Sequence, residues 1–231
     1  MLSVVRFEEK YPLNIVEASA YSSKFSQLLM TDAYSKDGSY KVRSLYFDTI
    51  HDKDFFDKMN EQNNRRKVRL RIYSPNDQYA KLEMKQKENV YQKKRSLLIS
   101  RQDAMALIDG NYSILLKYPD DFAAEMFAVM NEFCYRPKAI VEYDRRAFMS
   151  EENNIRLTFD SHIRATESDF NLFSDCLNLH PVFPEDQVIF EVKYDRFLLS
   201  YISDIISTIN RRNVSSSKYC LSRSIGYPLY L

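Results

Sequence analysis

Two nearby segments of the chain alternate charged and apolar residues with a period of two. They are Lys67–Tyr73, which reads KVRLRIY, and Lys81–Lys87, which reads KLEMKQK. Because successive side chains on a β-strand point to opposite faces, each segment predicts a strand with one apolar and one ionic face. The same alternation recurs at Arg6–Tyr11, Ile155–Asp160 and Ile189–Tyr194. Five such strands predict a closed sheet whose charged interior binds a polyanion with help from a metal.

The pattern along the whole chain predicts eight strands with helices between them. The strand-like stretches are 4–13, 40–48, 66–73, 79–87, 93–100, 138–148, 154–160 and 187–195. Helical spacing occurs at 15–30, 100–108, 119–133 and 196–209. Eight strands can close into a barrel that holds a small ligand. We expect the apolar strand faces to pack beneath the helices, which leaves the interior for the charged faces.

Composition excludes several classes of protein. The 33 basic and 32 acidic residues leave a formal net charge of +1, which disfavours a broad nucleic-acid surface. The chain has three glycines, at positions 38, 110 and 226, so neither GxxxxGK[ST] nor GxGxxG occurs. A glycine-rich loop therefore cannot hold phosphate here, and side chains must do so.

The cysteines and the hydropathy pattern indicate a cytoplasmic protein. Cys134, Cys176 and Cys220 are far apart and lack CxxC spacing, which favours a reducing compartment over a disulfide framework or zinc site. No apolar run approaches eighteen residues, and the apolar start of the chain is too short for a signal peptide. We see no linker or repeat, and we expect a single domain over residues 1–231 without a membrane span.

The arginine pair of the central segment points to phosphate chemistry. Arg69 and Arg71 are two residues apart on one predicted strand, so both guanidinium groups project from the same face. Arginine presents a planar fork that matches phosphate oxygens, and each charge-assisted hydrogen bond contributes about 1.5–3 kcal/mol. Such a cluster needs an anion or carboxylates to neutralise it. Carboxylates near a phosphate site also recruit Mg²⁺ or Mn²⁺.

Eight motifs in a fixed order carry a resemblance to a known family. They are Arg6–Tyr11, Val42–Thr49, Lys67–Arg71, Leu82–Lys85, Glu142–Phe148, Ile155–Asp160, Glu191–Tyr194 and Ser216–Tyr219. Together they resemble the polyphosphate polymerase (VTC) domain of the triphosphate tunnel metalloenzymes, which is related to the CYTH proteins. The resemblance covers nearly the whole chain and is closest to the compact bacterial members.

The resemblance implies an α+β fold, an eight-stranded antiparallel β-barrel that forms a triphosphate tunnel with helices packed on its outside. It implies these catalytic residues: Lys10, Arg69, Arg71, Lys85, Arg145 and Arg156. It implies these further substrate-binding residues: Lys93, Lys193, Ser217 and Lys218. Glu191 would bind Mn²⁺ or Mg²⁺, with Glu8 and Glu83 as further candidate ligands. A shift of one residue exchanges Lys93 with Lys94 or Arg145 with Arg146, so the pattern leaves open which of each pair faces the tunnel.

The family resemblance predicts an enzyme that transfers the γ-phosphoryl group of ATP to a growing polyphosphate chain. Arg6 stands at the first acidic position of the wider superfamily's ExExK motif, which favours a basic, polymerase-type tunnel over a hydrolase. The first alternative is a hydrolase of triphosphate or nucleoside triphosphates, in which Glu8 or Glu83 activates water. The second is a polyphosphate-binding module without turnover. The expected partners are ATP and inorganic polyphosphate or triphosphate, and no nucleic acid.

Overall fold

The computed structural model describes residues 6–35, 38–89 and 91–223, which form two compact units. Unit 1 consists of Met1–Lys41, Tyr143–Ile163 and Phe183–Ser217. Unit 2 consists of Val42–Glu142, Arg164–Val182 and Lys218–Leu231. A single domain over residues 1–231 stays a prediction.

The described residues contain ten strands, and all eight predicted strands are among them. The strands are β1 (Arg6–Asn14), β2 (Met30–Thr31), β3 (Tyr40–Asp48), β4 (Asn64–Ile72), β5 (Tyr79–Glu88), β6 (Tyr91–Ser100), β7 (Arg136–Ser150), β8 (Ile155–Thr166), β9 (His180–Pro181) and β10 (Gln187–Asp195). Residues 4 and 5 of the first predicted strand lie outside the described residues. The two additional strands, β2 and β9, have two residues each and are too short to show a period.

Six α-helices accompany the strands in the same part of the chain. They are α1 (Ile15–Leu28), α2 (Lys53–Met59), α3 (Arg101–Ile108), α4 (Asp121–Glu132), α5 (Ser200–Ser207) and α6 (Lys218–Arg223). The described helices include none with the length and apolar character needed to cross a membrane. Ser100, the first residue of the predicted helical stretch 100–108, caps α3, since its Oγ accepts a hydrogen bond from the Asp103 amide at 3.1 Å. The prediction that α4 begins at Pro119 is wrong, because Asp120 caps this helix by accepting from the Phe122 amide.

In unit 1, helices α1 and α5 pack on the apolar face of an antiparallel sheet. β1 pairs with β10 and β10 pairs with β8, both antiparallel. Helix α1 starts with a capping box, in which Asn14 and Glu17 each accept a hydrogen bond from the other's backbone amide. Phe25 of this helix stacks on Phe190 of β10, and both side chains are fully buried. These contacts turn the opposite, ionic face of β1, β8 and β10 away from the core of unit 1.

Unit 2 repeats this arrangement with the strands β3, β4, β5 and β6, which pair in that order and are antiparallel. Residues of both central strands are buried in a cluster with side chains of α3 and α4. Val68, Leu70 and Ile72 of β4 and Leu82 and Met84 of β5 belong to it, each at most 1% exposed. This confirms the prediction that the apolar strand faces pack beneath helices. The α+β class and the antiparallel sheet are likewise confirmed, whereas closure into a barrel stays a prediction.

Candidate functional site

The ionic face of unit 1 collects charged residues from β1, β8 and β10. Glu8 lies opposite Lys193, and Lys10 lies opposite Glu191. On the other side of β10, Lys193 lies opposite Arg156. Directly opposed residues share one face of a sheet, so the register brings these five predicted site residues together.

Lys10 is at the centre of this face. Its Nζ lies 2.8 Å from Glu8 Oε1 and 3.6 Å from Glu191 Oε1, and it donates to the Ser216 carbonyl at 3.0 Å. Burial lowers the pKa of Lys10, but Glu191 and Glu8 outweigh this effect, so the pKa is raised above its usual value. Lys10 therefore remains a cation, held between two carboxylates.

Lys193 is the second cation that contacts Glu191. Its Nζ lies 3.0 Å from Glu191 Oε2, and Arg145 Nη2 lies 4.0 Å from the same oxygen. Burial lowers the pKa of Lys193, and repulsion from Arg145 adds to this despite the attraction of Glu191. An additional anion close to Lys193 would thus favour its charged form.

Arg145 is fixed by a bidentate pair with Asp160 of β8. Its Nε and Nη2 donate to the two carboxylate oxygens at 2.6 and 2.7 Å. Burial lowers the pKa of Arg145, but Asp160 outweighs it and holds the pKa well above the usual value. The neighbouring Arg146 instead lies over the ring of Phe148, in the core of unit 1. The structure thus places Arg145, and not Arg146, beside Glu191.

Arg156 is held by two residues that the sequence reasoning did not single out. Its Nη2 donates to Asp32 Oδ2 at 2.7 Å and to the Tyr40 hydroxyl at 3.1 Å. Asp32 directly follows strand β2, which has only two residues and is too short for a periodic pattern that would identify Asp32 as a site residue. Asp160 was overlooked as well, although it is two positions from Thr158 and four from Arg156 on the same alternating strand.

The ionic face of unit 2 surrounds one carboxylate with cations. Arg69 Nε donates to Glu83 Oε2 at 2.7 Å, and Arg71 Nη1 lies 3.9 Å from the same oxygen. Lys94 Nζ contacts Glu83 Oε1. Burial raises the pKa of Glu83, but Arg69, Arg71 and Lys94 outweigh burial and lower it to about 2. Glu83 is therefore fully ionised at neutral pH.

Two side chains of β3 complete this face. Arg69 Nη1 donates to the Tyr46 hydroxyl at 3.2 Å, and Arg71 Nε donates to Ser44 Oγ at 3.2 Å. The sequence reasoning missed both, although Ser44 and Tyr46 follow the same period of two. Lys85 is on this face as well, exposed and opposite Lys67 and Lys94.

The strand register corrects the expectation for Lys93. The β5–β6 pairing starts at Glu88 and Tyr91, which puts Lys94 opposite Lys85 and Lys93 opposite Gln86. Lys93 thus projects from the apolar side, where its charge helps Arg95 to lower the pKa of Glu125 on α4. Of the two alternatives that the sequence left open, Lys94 is the lysine on the ionic face.

The predicted Ser217–Lys218 pair is divided by the boundary between the units. Ser217 is the last residue of unit 1 and is 9% exposed. Lys218 is the first residue of α6 in unit 2 and is half-buried. Their role in binding phosphate stays a prediction.

The predicted metal ligands differ in how well they suit a divalent cation. Among residues 6–35, 38–89 and 91–223, no three His, Cys, Asp or Glu side chains are arranged to hold a metal. Mg²⁺, however, commonly takes one or two carboxylates from the protein and the remaining oxygens from phosphates and water. Glu8 and Glu191, which share Lys10, fit that role. Glu83 belongs to unit 2 and is not part of this pair of carboxylates; like Glu191, it contacts three cations.

Comparison with known proteins shows both the fold and the family. The chain is similar to a candidate adenylate cyclase from Bacillus halodurans, with 11% identity, a TM-score of 0.54, and coverage of 93% of this chain and 94% of the other. It is also similar to a candidate adenylyl cyclase from Hippeastrum with a dominant triphosphatase activity, with 14% identity, a TM-score of 0.57, and coverage of 94% of each chain. No curated protein matches. The model of the VTC domain matches residues 5–227, and the chain therefore belongs to the VTC domain family.

Proposed function

We propose that this protein is a metal-dependent polyphosphate polymerase that transfers the γ-phosphoryl group of ATP to a polyphosphate chain. The charge of the unit 2 ionic face is the observation that carries the proposal. Three cations contact the carboxylate of Glu83, namely Arg69, Arg71 and Lys94, and Lys67, Lys81 and Lys85 lie on the same face of the strands. Cations packed this closely repel one another, and a ligand with many phosphate groups neutralises them.

The side chains have the chemistry that phosphoryl transfer requires. Such transfer depends mainly on positioning and on stabilising negative charge. On unit 2, Arg69, Arg71 and Lys85 bind non-bridging phosphate oxygens and Lys218 orients the acceptor. On unit 1, Arg145 and Arg156 bind phosphate oxygens and Lys10 orients the acceptor. Glu8 and Glu191 would hold Mn²⁺ or Mg²⁺, which offsets charge at the scissile linkage when bound.

The state of the carboxylates favours a phosphate acceptor over water. A hydrolase needs a base to activate water, and the sequence offers Glu8 or Glu83 for this role. Glu83 is a weak base because its pKa is lowered to about 2, and Glu8 is paired with Lys10 at 2.8 Å. The terminal phosphate of a polyphosphate chain is already anionic and needs no base. The triphosphatase activity of the Hippeastrum protein keeps hydrolysis as the second candidate function.

The length of the product distinguishes these functions. We expect wild-type protein, incubated with ATP and Mn²⁺, to produce long phosphate polymers on a polyacrylamide gel, and Arg69→Ala to reduce the rate at least tenfold. Arg95→Ala is the matched control, because Arg95 is on the opposite face of β6 and pairs with Glu125 of α4. Free phosphate without polymer would favour the hydrolase. Equal rates in wild type and Arg69→Ala would contradict the assigned site.

A further inference from the structure

The ionic face of unit 1 is closed at one end and open at the other. At the closed end, Asp160 is fully buried and the side chain of Arg145 is 11% exposed. The side chain of Lys10, which lies opposite Glu191, is 20% exposed. Two residues further along β10, the side chain of Arg156, which lies opposite Lys193, is 35% exposed. A substrate that carries a bulky group besides its phosphates must therefore leave that group at the Arg156 end.

Two tyrosines are positioned at this open end. The Tyr34 ring is 5.7 Å from the Tyr40 ring, centroid to centroid, with the two planes tilted by 50°. Tyr34 is 68% exposed, so a large part of its ring is accessible to a ligand. Arg156 Nη2 donates to the Tyr40 hydroxyl at 3.1 Å, which joins the aromatic pair to a predicted phosphate-binding cation.

One buried carboxylate fixes the tyrosines relative to this cation. Asp32 is 5% exposed, and its Oδ2 accepts a hydrogen bond from Arg156 at 2.7 Å. Its Oδ1 accepts from the Tyr34 backbone amide at 3.0 Å. The segment is fastened to β7, because the Asp32 amide donates to the Ala147 carbonyl at 2.9 Å and the Ala147 amide donates to Ser35 Oγ at 3.0 Å. The Asp32 carboxylate therefore holds both the backbone of Tyr34 and the guanidinium group of Arg156.

We propose that Tyr34 and Tyr40 form the nucleobase platform of this site. A nucleoside triphosphate would bind with its base against Tyr34 and with its phosphates extending from Arg156 toward Lys10. This inference rests on the proposed function, and it adds the means by which the protein distinguishes a nucleotide from inorganic phosphate chains. Stacking on an aromatic ring accepts every base, so the platform favours nucleotides over tripolyphosphate without selecting adenine.

Equilibrium binding of two probes tests the platform. We expect Tyr34→Ala to raise the calorimetric Kd of the β,γ-imido analogue of ATP about tenfold, which is within the range for loss of one stacked base. The Kd of tripolyphosphate, which has no base, should change less than twofold. Tyr34→Phe retains the ring and should match wild type for both probes. Tyr201→Ala is the matched control, because Tyr201 is an exposed tyrosine on α5.

The two probes also separate failure of the platform from failure of the proposed function. If tripolyphosphate binds to wild type while Tyr34→Ala weakens both probes equally or neither, the platform is wrong and the phosphate site stands. If tripolyphosphate does not bind to wild type at all, the proposed function is wrong, and the platform falls with it. An unchanged unfolding midpoint of Tyr34→Ala would exclude misfolding as the cause of weaker binding.

Discussion

At the scale of single residues, Glu83 stabilises the ionic face of unit 2. Its side chain is 3% exposed and contacts Arg69, Arg71 and Lys94. Burial raises its pKa, yet these cations lower it to about 2, from an ordinary value of 4.5. Because the pKa is lower in the folded state than in the unfolded chain, the ionised carboxylate stabilises the fold above about pH 4.5. This contribution is lost as the pH falls toward about 2.

We expect Glu83→Gln to lower the free energy of unfolding at pH 7 by about 3 kcal/mol, because it leaves the buried Arg71 and the partly exposed Arg69 and Lys94 without their shared counter-charge. Urea unfolding at pH 7 and pH 3 measures the effect, and the difference from wild type should shrink at pH 3. Glu125→Gln is the control, since Glu125 forms a half-exposed pair with Arg95 whose loss costs less than about 1 kcal/mol. Equal stability of Glu83→Gln and wild type at pH 7 would contradict this view of the face.

At the scale of secondary-structure elements, the register of β5 and β6 decides which lysine lies on the ionic face. Lys94 is on the ionic face and contacts Glu83, whereas Lys93 is opposite Gln86 on the other face. We expect Lys94→Ala to weaken tripolyphosphate binding about tenfold, because it removes a charge-assisted contact, and Lys93→Ala to leave the Kd within twofold of wild type. Fluorescence titration of both variants measures this. The reverse order of the two effects would show that the register is wrong.

Local patterns predicted most of the elements but not the contacts between them. The period of two in residues 67–73 and 81–87 marks both strands and their buried faces, because it depends on neighbouring residues alone. The sequence pattern did not predict helix α2, because the side chain that caps it does not stand next to the helix in the sequence. Asp48 at the end of β3 accepts from the Asp54 and Phe55 amides, both at 2.9 Å.

For the candidate site too, the sequence predicted side chains that alternate along one strand, but not the contacts between distant residues. Arg69, Arg71 and Glu83 alternate on their own strands, and the structure brings them together. The sequence left open whether Lys93 or Lys94 lies on the ionic face, because adjacent basic residues give no alternation and the hairpin sets the register. Asp32, the partner of Arg156, is more than a hundred positions away in the sequence, where no pattern links the two residues.

At the scale of the whole molecule, a formal net charge of +1 conceals a strong local separation of charge. Lys67, Arg69, Arg71, Lys81, Lys85 and Lys94 share one face of β4, β5 and β6, while apolar residues of these strands fill the cluster on the other face. A local field of this kind attracts a flexible phosphate chain at short range.

The most direct test of this account is the calorimetric Kd of tripolyphosphate for wild type, Arg71→Ala and Arg95→Ala. Arg71 is on the ionic face beside Glu83, and Arg95 is on the apolar face of the neighbouring strand. The account predicts that Arg71→Ala weakens binding at least tenfold and that Arg95→Ala leaves it unchanged. Equal Kd values for all three proteins would contradict it.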